Sequence, residues 1–316
     1  MSVSTNPPDP STVRYEGPWT HRDVHANGIR FHIVEATPGF AAAPPDAPLV
    51  LLLHGFADFW WSWRHQLTAL ADLGYRTVAV DLRGYGDTDK PPRGYDGWTL
   101  AGDVAGLIRA LGHTDAVLVG HAEGGLVCWA TAVLHPRLVR SIAVVASPHP
   151  AGLKSAVLRD RRQRRAWLPA FLRCQPPRYP EYRLTTQGGA EVERMLRRRA
   201  GARWRASEEC ADTATRMRSA IRIPGAAHCA LEYQRWAFRS QWRPDGRRFM
   251  ATMRVPIAVP VLSLRGEHDG YLLRSTFHRA RRWSPRRRLV TVPDAGHYAH
   301  QENPDAVTTE LAKFLA

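Results

Sequence analysis

Cysteine is scarce in this chain, and its spacing excludes several kinds of site. The 316 residues include four cysteines, with no CxxC pair and no spacing typical of metal ligands. They are Cys128, Cys174, Cys210 and Cys229. We therefore expect reduced structural thiols in a cytoplasmic protein. No phosphate loop or dinucleotide fingerprint is present either, so we expect no metal and no organic cofactor.

Long apolar runs are also missing. No stretch approaches the roughly 20 apolar residues that a membrane-spanning helix needs. The N-terminal segment MSVSTNPPDPSTV has no basic region followed by an apolar one, which predicts that it is not a secretory signal. Hydrophobic residues nevertheless make up 44% of the chain, enough for one large core or a core with an inserted domain.

Lysine is rare, with only Lys90, Lys154 and Lys313, yet the net charge is +15. Residues 151–250 hold 23 Lys and Arg against 9 Asp and Glu, whereas the rest holds 21 against 20. Two interpretations stay open: solvated arginine-rich helix faces, or a basic face that meets an anionic membrane or an acidic partner. No nucleic-acid-binding motif accompanies the charge, so we expect no nucleic acid. The oligomeric state is not predicted.

Strand and helix patterns alternate along most of the chain, which favours an α/β fold with a parallel sheet covered on both faces. Residues 1–17 are rich in Pro, Ser and Asp and predict a mobile tail, and residues 37–47 predict a surface loop. The alternation stops at residues 151–250, which predict an arginine-rich helical cap inserted into a core of residues 18–150 and 251–316. The predicted strands are residues 19–24, 29–35, 48–53, 75–80, 116–119, 141–146, 259–264 and 288–292.

Residues 116–126, AVLVGHAEGGL, have the pattern of a nucleophile elbow. A short buried strand runs into a turn in which Gly120 and Gly124 flank a central residue, and a helix follows. The central residue should be Ser, Cys or Asp, because its side chain attacks the substrate. It is Ala122 here, and a methyl group cannot act as a nucleophile.

Two motifs resemble the epoxide hydrolases of the α/β-hydrolase fold. They are HGFADFWWSWRHQL at 54–67 and VAVDLRGYGDTDKP at 78–91, against the family patterns HGFPxxWxSWRxQ and DxRGYGxSxxP. The segments WTLAGDVAGLIRALG and ALEYQRW resemble actinobacterial, especially mycobacterial, E-type epoxide hydrolases. The similarity covers nearly the whole chain outside the N-terminal tail and is weakest in the cap. It implies a mostly parallel sheet flanked by helices, a helical cap, and a site for a small apolar substrate between them.

The resemblance also implies roles for individual residues. The nucleophile, normally Asp in GHDWGG, falls on Ala122. The charge-relay acid falls on Asp269, with Glu267 as a weaker candidate, and the base falls on His297. The backbone N–H groups of Phe56 and Glu123 would form the oxyanion hole.

The substrate-binding side of the site is less sharply defined by the resemblance. Tyr233 would polarise the epoxide oxygen, with Tyr179 or Tyr182 as a second tyrosine. Trp60 and His54 are candidates for the pocket, although His54 is also a candidate for shaping the loop. Two departures accompany the missing nucleophile: Ala57 replaces the proline after HGF, and Glu123 replaces an aromatic residue.

In the family mechanism a carboxylate opens the epoxide to form an ester, and a histidine-activated water hydrolyses that ester to a diol. Four hypotheses remain open for this chain. The first is a weak hydrolase in which His297 activates water directly. The second is an inactive pseudoenzyme whose basic cap binds a lipid-like ligand, a protein or a membrane. The third is a variant of an active enzyme whose nucleophile was replaced deliberately, and the fourth is an enzyme that uses Glu123 as its nucleophile.

Overall fold

The computed structural model describes residues 7–36 and 47–316. These residues form one eight-stranded sheet with the strand order β1-β2-β4-β3-β5-β6-β7-β8. Strands β3 to β8 run parallel, while β1 pairs with β2 and β2 pairs with β4 in antiparallel fashion. The strands are β1 (Trp19–Ala26), β2 (Ile29–Ala36), β3 (Leu49–Leu53), β4 (Arg76–Val80), β5 (Ala116–His121), β6 (Val139–Val145), β7 (Val261–Gly266) and β8 (Arg287–Val292).

Each strand predicted from the sequence is present, with bounds that differ by at most two residues. The central strands β3 and β5 are buried along their whole length, as continuous apolar runs in a parallel sheet should be. The fold is therefore the α/β class expected, with the elbow at the carboxyl end of a central strand.

Helices cover the sheet and form the segment inserted between β6 and β7. In the core, Asp96 accepts the N–H groups of Trp98 and Thr99 and so begins α2 at an N-cap. The core helices are α1 (Arg64–Asp72), α2 (Gly97–Ala110), α3 (Ala122–Leu134), α12 (Arg274–His278), α13 (Ala299–Glu302) and α14 (Pro304–Leu315). The inserted helices are α4 (Pro150–Arg159), α5 (Arg161–Arg173), α6 (Tyr179–Thr185), α7 (Ala190–Arg199), α8 (Ala202–Arg205), α9 (Glu208–Ile221), α10 (Ala226–Arg239) and α11 (Pro244–Thr252).

The inserted segment, which we call the cap, covers the residues predicted as helical, 151–250. Its first helix is capped by the core-side loop, since the His149 side chain accepts the N–H of Ala151. Within the described ranges, no helix combines the length and the apolar character that crossing a bilayer requires.

The N-terminal segment differs from the expected tail. Residues 1–6 and 37–46, which include all but the last residue of the predicted loop at 37–47, lie outside the described residues. Val13, however, is fully buried, and its carbonyl accepts the indole N–H of Trp60 at 2.8 Å. Tyr15 packs against Trp61 with ring centroids 5.2 Å apart. Residues 13–15 are thus packed against the core, because one apolar side chain and one aromatic ring anchor a segment that composition alone marks as mobile.

Candidate active site

The elbow keeps its strained backbone although its nucleophile is missing. Ala122 joins β5 to α3 with φ of 45°, in the left-handed region that costs a non-glycine residue about 1–2 kcal/mol. A Cβ on Gly124 would lie 2.2 Å from the carbonyl oxygen of Leu53, and one on Gly120 would lie 2.5 Å from the backbone of Gly124. Both glycines are therefore required for the close approach of α3 to the sheet, whatever side chain the elbow carries.

The acid–base pair is assembled. Nδ1 of His297 lies 3.1 Å from Oδ2 of Asp269, and both side chains are buried. The other oxygen of Asp269 accepts the backbone N–H groups of Tyr271 and Leu272 at 2.8 and 3.0 Å. If His297 donates its Nδ1–H to Asp269, its Nε2 carries the lone pair that a general base needs.

The loop that carries His297 is held by its own carboxylate. Glu302 accepts the N–H groups of Gly201 and Gly296 at 2.7 Å each, and that of Tyr298 at 2.9 Å. The backbone N–H of His297 donates to the carbonyl of Arg199 at 3.0 Å. Cap residues therefore help to fix the position of the loop that carries His297.

The electrostatics around Asp269 favour its charged form. Burial alone would raise the pKa of this carboxyl, but the neighbouring His297 and the backbone donors more than offset that effect and bring the pKa below its usual value. Asp269 is consequently ionised at neutral pH and can orient the imidazole.

The predicted oxyanion hole is occupied by a side chain. The Phe56 N–H, one of the two expected donors, donates to Oε2 of Glu123 at 2.8 Å. The other carboxylate oxygen accepts a short hydrogen bond from the side-chain amide of Gln234 on α10. Glu123 thus links the oxyanion loop of the core to the cap, directly beside Ala122. Its own backbone N–H is near the start of α3, where helical N–H groups have no partner inside the helix.

The oxyanion loop also differs from a loop with proline after HGF. Ala57 has φ of 56°, whereas a proline ring holds φ near −65°. The substitution of proline by Ala57 therefore allows a backbone conformation that proline forbids.

Two adjoining cavities lie between the core and the cap. The smaller, of about 470 Å³, is lined mainly by apolar side chains and contains both Ala122 and His297 in its wall. The larger, of about 780 Å³, has several arginines in its wall. Five residues border both cavities and so form the partition between them: Glu123, Phe171, Arg199, Gln234 and Tyr271.

Comparison with known proteins agrees with this architecture. The family model of the alpha/beta hydrolase fold matches residues 48–304. The chain is 33% identical over 296 residues to Epoxide hydrolase 3 of Xenopus tropicalis, covering 92% of this chain and 75% of that protein. It is 32% identical over 328 residues to Epoxide hydrolase A of Mycobacterium tuberculosis, covering 94% of this chain and 97% of that one. The chain belongs to the epoxide hydrolase-like α/β hydrolases.

A solved structure of this family has the same fold. Epoxide Hydrolase A from Mycobacterium thermoresistibile superimposes with a TM-score of 0.74 at 27% identity, covering 94% of this chain and 98% of that one. Against the epoxide hydrolase pattern, two adjacent elbow positions of this chain therefore stand out: Ala122 lacks the attacking group, and Glu123 covers an oxyanion donor.

Of the three candidate tyrosines, Tyr233 is buried, whereas Tyr179 and Tyr182 are exposed. The hydroxyl of Tyr233 donates to the carbonyl of Arg83 at 2.8 Å, and burial raises the pKa of this hydroxyl well above its usual value. Its proton is therefore already used within the protein, although its ring borders the smaller cavity. Tyr179 and Tyr182 are 58% and 65% exposed, and Tyr179 borders the larger cavity.

His54 and Trp60 do not reach the cavities. Nε2 of His54 accepts the N–H of Leu82 at 3.1 Å and its Nδ1 contacts the carbonyl of Gly55 at 2.9 Å, so the ring is used to shape the loop. Trp60 is fully buried, with its indole packed edge-to-face on Trp19. The expectation that these two residues bind substrate is corrected by this packing, since neither borders either cavity. The weaker acid candidate, Glu267, is exposed, unlike Asp269.

Sequence reasoning missed four of the five residues at the partition: Phe171, Arg199, Gln234 and Tyr271. Gln234 follows Tyr233 in the ALEYQRW segment, and it is Gln234 that contacts the elbow. Arg199 lies over the ring of Tyr271, with its guanidinium carbon 3.8 Å from the ring centroid. The sequence offered one indication of these contacts: Glu123 is charged where the family has an aromatic residue, and a charged side chain at that position needs a polar partner.

Proposed function

We propose that this chain binds an apolar small molecule between core and cap and does not carry out the covalent hydrolysis of an epoxide hydrolase. The observation that carries the proposal is the Glu123 carboxylate on the Phe56 N–H beside Ala122. The first step lacks its nucleophile, and in the second step one of the two oxyanion donors, the Phe56 N–H, is already bound by a side chain. Any activity on an apolar epoxide or ester is therefore weak or absent.

Electrostatics support this reading. Hydrolysis of an ester intermediate places negative charge on the oxygen that the oxyanion hole receives. A carboxylate already held there repels that charge, and two like charges about 4 Å apart repel by roughly 4 kcal/mol at an effective dielectric constant of 20. The same argument weighs against Glu123 as nucleophile, because both of its oxygens are engaged in hydrogen bonds.

The smaller cavity supports an apolar ligand. At about 470 Å³ it falls within the usual range of small-molecule sites. Aromatic and aliphatic side chains dominate its wall, and it includes Leu126, Leu153, Trp167, Phe171, Trp236, Phe238, Trp242, Phe249 and Met250. His297 is the histidine that borders it.

A second candidate function follows from the intact acid–base pair. His297, oriented by Asp269 at 3.1 Å, has the arrangement needed to activate a water molecule. In this reading the water opens the epoxide directly to a diol, slowly, with no ester intermediate.

One experiment separates the two functions. The wild-type chain and His297→Gln are incubated with styrene oxide and longer aromatic epoxides, diol is measured by chromatography, and bound ligand is measured by native mass spectrometry. The binding function predicts an intact bound epoxide, no covalent adduct after denaturation, and diol formation no faster than in buffer. Diol formation by wild type that disappears in His297→Gln would instead establish direct water activation. If the wild-type chain neither binds an epoxide nor forms diol, both functions are contradicted.

The basic cap carries a further proposal, contact with an anionic membrane surface. Helix α5 contains five arginines, and the flanking Leu158 and the last-turn Leu172 are 65% and 44% exposed. Arginine beside exposed leucine suits anionic lipid headgroups. Binding to phosphatidylserine vesicles should fall steeply with salt and weaken in Leu172→Ser, whereas Leu73→Ser, at an exposed leucine of the core, should bind as wild type does. Salt-insensitive or absent binding would refute it. A cytoplasmic location stays a prediction, which the four free thiols suit.

A further inference from the structure

Three buried side chains behind the elbow point polar atoms at one another. Asp58, His121 and His300 are each at most 2% exposed, and their candidate ligand atoms all lie within 4.8 Å of one another. We call them the buried triad. They come from the oxyanion loop, the end of β5 and helix α13, so the fold alone brings them together.

The triad has unmet hydrogen-bonding capacity. Among the described residues, Oδ2 of Asp58, Nδ1 of His121 and both ring nitrogens of His300 have no hydrogen-bond partner. Each buried polar atom left without a partner costs about 1–3 kcal/mol, and native structures contain few of them. Four such atoms in one place indicate an occupant that supplies the missing interactions.

The hydrogen bonds around the triad orient its atoms as ligands. Nε2 of His121 lies 3.2 Å from the carbonyl of His297, and a carbonyl can only accept, so the proton is on Nε2 and Nδ1 keeps its lone pair. Histidines that bind metals usually donate their second N–H to a backbone carbonyl or carboxylate in this way. Oδ1 of Asp58 accepts the N–H of Phe59 at 2.9 Å, which leaves Oδ2 for the same centre.

We infer that the buried triad is a structural site for a divalent transition-metal ion of the Zn²⁺ type. Two imidazoles and one carboxylate are a ligand set that Zn²⁺ accepts, at ligand distances of about 2.0–2.2 Å. Ligand atoms around a tetrahedral ion lie about 3.3 Å apart, so atoms within 4.8 Å close around it by small side-chain shifts.

The position of the site gives the ion its role. It would tie the oxyanion loop, the strand before Ala122 and the helix after His297 into one unit, without touching a ligand in the cavity. Sequence spacing does not reveal it, because its three residues lie far apart in the chain.

An exposed second cluster provides matched controls. Glu267, His268 and Asp294 also bring three candidate ligand atoms within 4.8 Å, but all three are exposed to solvent. We therefore pair Asp58→Asn with Asp294→Asn and His300→Gln with His268→Gln. Each pair makes the same chemical change inside and outside the buried triad.

The test measures metal content and thermal stability of the full chain. Protein is produced in medium with added Zn²⁺, passed over a chelating resin and analysed by elemental mass spectrometry, and its melting temperature is measured before and after prolonged chelation with heating. Wild type and both control variants should retain about one Zn²⁺ per chain and lose stability on chelation. Asp58→Asn and His300→Gln should retain less than about a tenth as much, with a melting temperature that chelation does not change.

Three results would overturn the inference. Wild type free of metal after growth with Zn²⁺ would mean that ordered water fills the triad instead. Equal metal content in wild type and both triad variants would place the ion elsewhere, and loss of metal in the control variants would assign it to the exposed cluster. If one triad variant fails to fold, the other and the metal content of wild type still decide the question.

Discussion

The two halves of the active site differ in completeness. The acid–base half, His297 and Asp269, has a buried pair, two backbone donors to the acid and a loop held by Glu302. The attack half has an elbow without a nucleophile and an oxyanion donor covered by Glu123. The difference teaches that the departures from the family pattern, at Ala57, Ala122 and Glu123, are confined to the attack half.

The largest expected effect comes from supplying the missing nucleophile. Ala122→Asp should raise diol formation from styrene oxide by about three orders of magnitude, because the elbow geometry is already in place, with ester hydrolysis, slowed by Glu123, as the limiting step. Chromatographic measurement of diol checks this. Ala122→Asn, of the same size but without a nucleophile, is the control and should remain at the wild-type rate. An inactive Ala122→Asp would show that the attack half is deficient beyond this one side chain.

Next in size is the effect of uncovering the oxyanion donor. In Ala122→Asp the ester should accumulate, because Glu123 opposes its hydrolysis. Adding Glu123→Ala should speed ester hydrolysis by about 10²-fold, the usual worth of one oxyanion donor. Intact-protein mass spectrometry follows the adduct with time. Glu123→Gln, which keeps a side chain at the site but removes the charge, should give an intermediate rate. Equal lifetimes of the ester in Ala122→Asp and in its two Glu123 double variants would show that Glu123 has no effect on ester hydrolysis.

A smaller effect is expected from breaking the complete half. Asp269→Asn should lower the free energy of unfolding by about 2 kcal/mol at pH 7, since it weakens hydrogen bonds to a buried charge. The lowered pKa of Asp269 stabilises the fold above the unfolded-state value near 3.8, and this stabilisation disappears as pH falls through the folded-state pKa. The difference in free energy of unfolding between Asp269→Asn and wild type should therefore become smaller at acidic pH. Urea unfolding at pH 7 and pH 3 measures this difference. A difference that does not change with pH would contradict the stabilising role of the Asp269 charge.

The smallest effect concerns backbone strain at the elbow. Ala122→Gly should raise the free energy of unfolding by roughly 0.5–1 kcal/mol, because relief of the left-handed strain exceeds the added entropy of the unfolded chain. Ala130→Gly, inside the same helix, should lower it by about 1 kcal/mol or more. Thermal unfolding of both variants compares them. A loss of stability in Ala122→Gly would mean that the methyl group packs at the elbow.

Much of the fold could be predicted because local patterns determine it. The apolar run at Ala116 and its neighbours marks a buried strand, and the flanking glycines mark the elbow. His297 and Asp269 follow from the resemblance, and each lies in the loop that follows a strand. Long-range side-chain contacts could not be predicted. Glu123 was expected to act through its backbone, but its side chain turns to Phe56 and to Gln234, a cap residue 111 positions away.

Residues expected in the pocket show the same limit. Trp60 and His54 have the chemistry of substrate-binding residues, yet the packed N-terminal segment and the backbone around Leu82 use their polar atoms. Sequence identifies which side chains are able to bind a ligand, and tertiary packing decides which ones face it.

The methyl group at the elbow has a practical consequence for the study of reactive ligands. If the chain has the binding function proposed above, an epoxide that enters the smaller cavity meets no carboxylate at Ala122, and its three-membered ring should stay closed. Crystals of this chain soaked with an epoxide would therefore show the encounter geometry that a working family member destroys within one turnover. Such images would give the distance from the intact ring to His297 and the direction of approach to the strained turn.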